Sequence, residues 1–272
     1  SETKSLMQLL PSMKSSSFRE YIRLFLSSLM VDILAIFMVG LTVGFLNGFA
    51  GGASVLSFPA MIAVGLNPVS AAMTNALGVW TANIGALFGK FSEVKGIIKA
   101  ESQLIGYSMI GAVIGGLALA LIPIEGFQKI VPVLIAIASM SLFIKVKENL
   151  TPLKQKIENF WLTAVGFYAG YFGPGQGVMT IAILARDAKR SVADINVSKN
   201  VVVTMTCLGS NLIYIASGKV DWTYALDLAI SCAIGGFFGA KVVDKFSREA
   251  YRMGIFVIGM LCAVWFAKEY WN

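Results

Sequence analysis

Gly44-Phe45-Leu46-Asn47-Gly48-Phe49-Ala50-Gly51-Gly52 and Gly166-Phe167-Tyr168-Ala169-Gly170-Tyr171-Phe172-Gly173-Pro174 are one pattern written twice, 122 residues apart, each inside a long apolar run. Gly and Pro at membrane depth free backbone groups that only buried protein or a wet cavity can satisfy. A matched pair of such interrupted apolar segments points to a binding site between two repeats. The doubled pattern therefore bears on both the architecture and the place where the chemistry occurs.

The rest of the chain supports a membrane reading. Of 272 residues, 57% are hydrophobic and 14% charged, against about 25% charge in a soluble domain. Mean hydropathy is +0.75. Apolar segments run over 30–50, 53–66, 68–89, 98–122 and 127–145, then over 158–173, 175–186, 191–216, 222–241 and 250–271. Several approach or exceed the ~20 residues that span a bilayer. The segments 53–66 and 175–186 are short for that and read as half-helices or broken spans. Residues 18–32 mix Arg19, Glu20 and Arg23 with apolar residues, a pattern for an interfacial helix or an extension of the first span.

The repeat extends past the Gly motif. Ser54 pairs with Gln176 at the same 122-residue offset. After a two-residue slip, Thr74 pairs with Ser198, Asn75 with Lys199, Gly85 with Gly209, Gly111 with Gly235 and Gly115 with Gly239. The last two pairs make GxxxG in each half, a spacing that lets helices approach closely in lipid. The expected fold is all-α and polytopic, with two inverted-topology repeats. The divisions are a tail with a possible interfacial helix (1–29), a first repeat (30–146), a basic linker (147–157) and a second repeat (158–272).

Loop charge carries the inversion. With five crossings per half, the stretches 90–99, 145–156, 186–190 and 241–252 fall on one side, each with three or four Lys/Arg. The opposite loops near 65–68, 123–129 and 218–221 hold at most one each. That bias is the positive-inside pattern, so the net charge of +7 does not argue for nucleic acid. The inner cell membrane is the expected location.

Chemistry narrows next. There are no histidines, which removes the commonest metal ligand and proton relay. Cys207, Cys232 and Cys262 show no CxxC spacing and read as packed thiols. Gly173-Pro-Gly-Gln-Gly177 lacks the Lys-Ser/Thr ending of a phosphate loop. No catalytic set appears, and neither a cofactor nor a metal is expected.

Lys199 lies about two turns into a membrane segment, where an ionisable group marks a functional site by default; snorkelling to the interface is the alternative. Helices restarting at Gly52-Ala53-Ser54 and Gly175-Gln176-Gly177 would offer unpaired N–H groups to an anion, or would simply be tight kinks. Thr74-Asn75 and Ser198-Lys199-Asn200 occupy the same position in the two halves. Asn83 shares a face with Asn75, eight residues on; both suit a lined path, and equally inter-helix hydrogen bonds. The binding candidates are thus Lys199, Gln176, Ser54, Asn75, Thr74, Ser198, Asn200, Asn83, Gly52, Ala53, Gly175 and Gly177. Among the tryptophans, Trp80 lies deeper than the interface belts and would wall the path.

These residues resemble the sulfite exporter TauE/SafE family over roughly 30–271. The resemblance rests on Gly44–Gly52, on Phe172-Gly173-Pro174-Gly175 within Gly166–Gly177, on Ser198-Lys199, and on Ser217-Gly218-Lys219-Val220-Asp221-Trp222. It implies export of a small sulfur-containing oxyanion, sulfite or an organosulfonate, by alternating access between the repeats. In that picture Lys199 supplies countercharge to an anion held by Gln176, Ser54 and nearby backbone N–H groups. The expected partners are a small anionic substrate and membrane lipid, with no nucleic acid, in a monomer or homodimer. An anion channel, or an importer of a small organic or inorganic anion, is the alternative.

Overall fold

A computed structural model describes residues 15–49, 52–88, 90–143, 155–184, 192–241 and 248–271. Most of the linker 147–157, the tail before Ser15, Ala50, Gly51, and the basic stretch 186–190 lie outside the described residues. Every regular element among the described residues is a helix. In chain order they are α1 (Ser15–Phe49), α2 (Ser54–Ala63), α3 (Pro68–Ala86), α4 (Phe91–Ala100), α5 (Ser102–Leu121) and α6 (Ile124–Ser141). α7 (Gln155–Tyr171), α8 (Gln176–Leu184), α9 (Val192–Ser217), α10 (Trp222–Lys241) and α11 (Arg248–Trp271) follow.

Two compact units are distinguished, Ser1–Ala35 and Ile36–Asn272. In the first, the described residues are one continuous stretch of helix from Ser15, so residues 18–32 extend a helix. All packing described below lies within Ile36–Asn272.

Among the described residues, six helical stretches are long and apolar enough to cross a membrane: Leu26–Gly48, Ser102–Leu121, Ile124–Ser141, Asp194–Ser217, Trp222–Lys241 and Arg252–Trp271. Their outer faces carry apolar rows in place of polar ones. Ile110, Ile114, Leu117 and Leu121 form such a row on α5, and Leu226, Ile230, Ile234 and Phe238 on α10. The spacing is one helical face. Exposed apolar surface of this extent suits lipid, not water, as the surrounding solvent.

The two short apolar segments are short helices, ten residues in α2 and nine in α8. Local chemistry sets their ends. Gly65, at φ +92°, closes α2, and Asn67 caps α3 by accepting from the Ser70 N–H at 3.0 Å, with Pro68 at the first position. Asp221 caps α10 through the Thr223 and Tyr224 N–H groups at 3.0 and 3.2 Å.

One expectation is corrected. Residues 90–99 read as a basic loop, yet Phe91–Ala100 is helical. Val94, Ile97 and Ile98 recur at helical spacing and pack on Leu87, Val197 and Val201. Lys95 and Lys99 remain outside that contact set, so the segment is amphipathic and keeps its charge.

Close backbone contact organises the bundle, and it repeats at the sequence offsets. A Cβ on Gly111 would collide with the Thr163 carbonyl and the Phe167 backbone nitrogen; one on Gly235 would meet Leu41 and Phe45, the same positions displaced by 122 residues. Gly115 lies against the Phe167 carbonyl, and Gly239 against that of Phe45. In reverse, Gly166 and Gly170 abut Ser108 and Ala112, while Gly44 and Gly48 abut Cys232 and Gly236. Small residues are the packing device because lipid gives helices no hydrophobic reason to associate. α9 contacts α3, α5, α7 and α8 and is the most enclosed span, with 61% of its apolar window buried against 44% or less elsewhere.

Candidate functional site

The two breaks are built differently. In the first, the Asn47 side-chain Oδ1 accepts from the Ala53 N–H at 3.0 Å, and Gly52 takes φ +87°. That side chain spans the gap between the end of α1 and the start of α2. In the second, the Phe172 and Gly173 N–H groups both return to the Tyr168 carbonyl at 3.0 and 3.1 Å. Gly173 and Gly175 adopt φ +91° and +89°. The Tyr168 hydroxyl donates to the Pro174 carbonyl at 2.7 Å, closing the loop before α8.

Ser54 at the start of α2 and Gln176 at the start of α8 line one cavity. α3 contributes Asn75, Ala76, Val79, Trp80 and Asn83; Cys207 and Ser210 come from α9. Ala169, Phe172, Gly173 and Pro174 of the second break complete the wall. The cavity holds about 30 Å³, room for roughly two waters by the usual requirement of ~10–15 Å³ each. Four of the sequence-derived candidates, Ser54, Asn75, Asn83 and Gln176, thus come together.

Their bonding differs. Gln176 Nε2 lies 2.9 Å from Cys207 Sγ. Trp80 is held by its Nε1–H donating to the Thr204 carbonyl at 2.9 Å. Asn75 is 1% exposed, and its Oδ1 has no hydrogen-bond partner. A buried unpaired amide oxygen is costly unless something else satisfies it.

The other candidates sit outside this lining. Lys199 is fully buried, and its Nζ donates to the Asn47 carbonyl at 2.9 Å. One turn earlier, Asn196 Nδ2 donates to the Gly48 carbonyl at 3.2 Å. α9 therefore satisfies the last carbonyls of α1, which a broken helix leaves without intrahelical partners. Thr74 accepts from the Asp221 N–H at 3.0 Å through its hydroxyl and ties α3 to the turn before α10. Ser198 is buried; Asn200 is buried with an unpartnered Oδ1. Gly52 packs near Leu142 and Val178, and Gly175 near Ser141 and Ala138. Ala53 and Gly177 are buried within the restarts.

Sequence reasoning missed Asn47, Tyr168, Cys207 and Ser210. Asn47 stands inside the quoted motif, where its amide is the only polar side chain, and that was a usable signal. Cys207 lies one turn beyond Thr204 on α9, a spacing shared with many packing residues, and carried none. Glu101 is 8% exposed in the turn between α4 and α5.

Residues 36–266 match the family described as "Sulfite exporter TauE/SafE". The chain belongs to that family. It is similar to "Probable membrane transporter protein YfcA" of Escherichia coli (strain K12), 24% identical over 238 residues, 85% of this chain and 87% of the relative. A "Probable membrane transporter protein" of Haemophilus influenzae (strain ATCC 51907 / DSM 11121 / KW20 / Rd) is 26% identical over 241 residues, 85% of this chain and 93% of that one. "Probable membrane transporter protein ORF9" of Sinorhizobium sp is 27% identical over 222 residues, 78% and 82% of the two chains. No solved structure matches it. As a TauE/SafE-family protein with six candidate spans, it is a multi-pass membrane transporter.

Proposed function

We propose that the cavity between the two helix breaks is the substrate site of a secondary transporter that exports a small sulfur-containing oxyanion, sulfite or an organosulfonate, across the inner cell membrane. The observation that carries this reading is that Ser54 and Gln176, the first residues of α2 and α8, line one cavity with Asn75 and Asn83. Helix starts present unpaired N–H groups and a positive dipole end, the ordinary means of holding an anion. Backbone N–H groups of Gly52, Gly175 and Gly177 would join the two side chains, while that of Ala53 is held by the Asn47 amide.

Alternating access of two inverted repeats around this point would expose it to each side in turn. The described cavity is too small for a sulfonate with its hydration shell, which fits a closed stage of such a cycle. Thr74, Ser198, Asn200 and Lys199 act around the site, Lys199 by anchoring the end of α1 beside the first restart. A negative interior drives an anion outward by about 2.3 kcal/mol per charge per 100 mV, so export needs no coupling ion.

The test is efflux of labelled sulfite from proteoliposomes holding the full chain. Gln176→Ala and Asn75→Leu should each cut saturable flux by about tenfold or more, the worth of one charge-assisted hydrogen bond. Unchanged flux in both variants would remove the site from this cavity. Flux that does not saturate with concentration would favour a channel.

A further inference from the structure

We infer that α4 is a docking surface for anionic phospholipid headgroups, and that headgroups bound there hold down the start of α9. The inference goes beyond the transport reading and does not depend on it.

α4 has two distinct sides. Val94, Ile97 and Ile98 fall on one and pack on Leu87, Val197 and Val201. Phe91, Lys95 and Lys99 recur every four residues and form a separate row. All three are exposed, as is Lys90 just before the helix. Of the acidic residues nearby, Glu93 lies ~160° around the axis from Lys95 by helical spacing, and Glu101 is buried in the turn that follows. The outer row thus joins one aromatic ring to two ammonium groups.

This row continues a surface that already faces lipid. The rings of Phe91 and Phe88 meet edge-on, with centroids 6.1 Å apart; Phe88 meets Phe237 at 5.5 Å, and Phe237 meets Phe238 at 5.2 Å. Phe88, Phe91 and Phe238 are 67%, 54% and 54% exposed, and Phe238 ends the exposed apolar row of α10. Lys241 Nζ lies 3.9 Å from the centre of the Phe237 ring. A band of rings therefore runs from the outer face of α10 to the start of α4, with Lys90, Lys95, Lys99 and Lys241 along it. Aromatic rings at headgroup level beside lysines are the chemistry of a membrane interface. The matching charge is a lipid phosphate with net negative charge, since each lysine near an anionic surface adds attraction that a zwitterionic surface does not supply.

The inner side gives the contact a consequence. Val197 and Val201, which α4 covers, stand two residues either side of Lys199 and are buried. This is the turn of α9 that satisfies the end of α1 through Asn196 and Lys199. Headgroups that fix Lys95 and Lys99 at the interface press Val94, Ile97 and Ile98 onto that turn.

The test is thermal unfolding of the purified full chain in detergent, with added phosphatidylglycerol or with phosphatidylcholine of the same acyl chains. Phosphatidylglycerol should raise the melting temperature by about 4 °C or more above phosphatidylcholine, and added salt should shrink the difference. Lys95→Gln combined with Lys99→Gln should remove at least about half of that difference. Without lipid it should melt within about 2 °C of the wild type, because both side chains are exposed. Lys129→Gln, at an exposed lysine on α6, should keep the full response. Equal shifts from the two lipids overturn the inference, and so does a double variant that keeps the full phosphatidylglycerol response. If the double variant does not fold, the wild-type comparison of the two lipids decides alone. Flux enters none of these readouts, so the transport proposal stands or falls separately.

Discussion

Lys199 Nζ donates to the Asn47 carbonyl at 2.9 Å, while the side chain of that same Asn47 holds the Ala53 N–H at 3.0 Å. One residue thus links the end of α1, the start of α2 and the middle of α9. The break is held open by a three-part clamp and not by glycine alone. Lys199→Met keeps most of the buried bulk but leaves the carbonyl unpaired, at a cost of about 1–3 kcal/mol. Asn47→Ala removes the cap, at about 1 kcal/mol. Thermal unfolding in detergent should show both losses. Their combination should depart from additivity, since both act on one turn of chain.

Thr74 and Asn75 are adjacent and should respond in opposite ways. Thr74→Val removes the acceptor for the Asp221 N–H and should lower stability by about 1–3 kcal/mol, with substrate affinity kept. Asn75→Leu replaces an amide whose Oδ1 has no partner and should leave stability within about 1 kcal/mol while cutting saturable flux by about tenfold or more. Paired melting and flux measurements separate the two.

The glycines divide by mechanism. Gly65 has φ +92° and no atom within 4 Å of an added Cβ, so Gly65→Ala should cost only the left-handed backbone strain, about 1–2 kcal/mol. Gly170→Ala and Gly48→Ala drive a methyl into the carbonyls of Ala112 and Gly236. Each should cost more than the typical 1–3 kcal/mol of overpacking, because backbone cannot rotate away. The two losses should be similar, since the contacts are repeats of each other. Yield of monodisperse protein and its melting temperature are the readouts.

Trp80 lines the cavity, whereas Trp161, Trp222, Trp265 and Trp271 are 55%, 48%, 55% and 58% exposed. Substrate should therefore change the fluorescence of Trp80 and leave the other four unaffected. Trp80→Phe should remove the substrate-dependent signal. A signal that survives in this variant would place binding elsewhere.

Much of this architecture was legible as text. The Gly breaks, the short helices behind them and the GxxxG pairs were visible because membrane helices need long apolar runs, and interruptions stand out against them. Ser54 and Gln176 were found together because the repeat offset aligned them. Lys199 stands out by its rarity at membrane depth, which is a sequence property, whereas the direction of its side chain toward the Asn47 carbonyl is not. The helix at Phe91–Ala100 was misread because its lysines resemble those of a loop, and only packing of Val94, Ile97 and Ile98 on α9 distinguishes the two.

The sequence by itself determined the solvent, the helical class and the doubling, since each follows from composition and periodicity along one chain. The tertiary structure alone decided which polar groups share a wall. Gln176 meets Cys207, Asn75 is left unpaired, and Lys199 is turned to the Asn47 carbonyl. Those pairings join residues from 31 to 152 positions apart. They depend on how closely α1, α3, α8 and α9 approach, which the shape of packed backbones sets and no local pattern encodes.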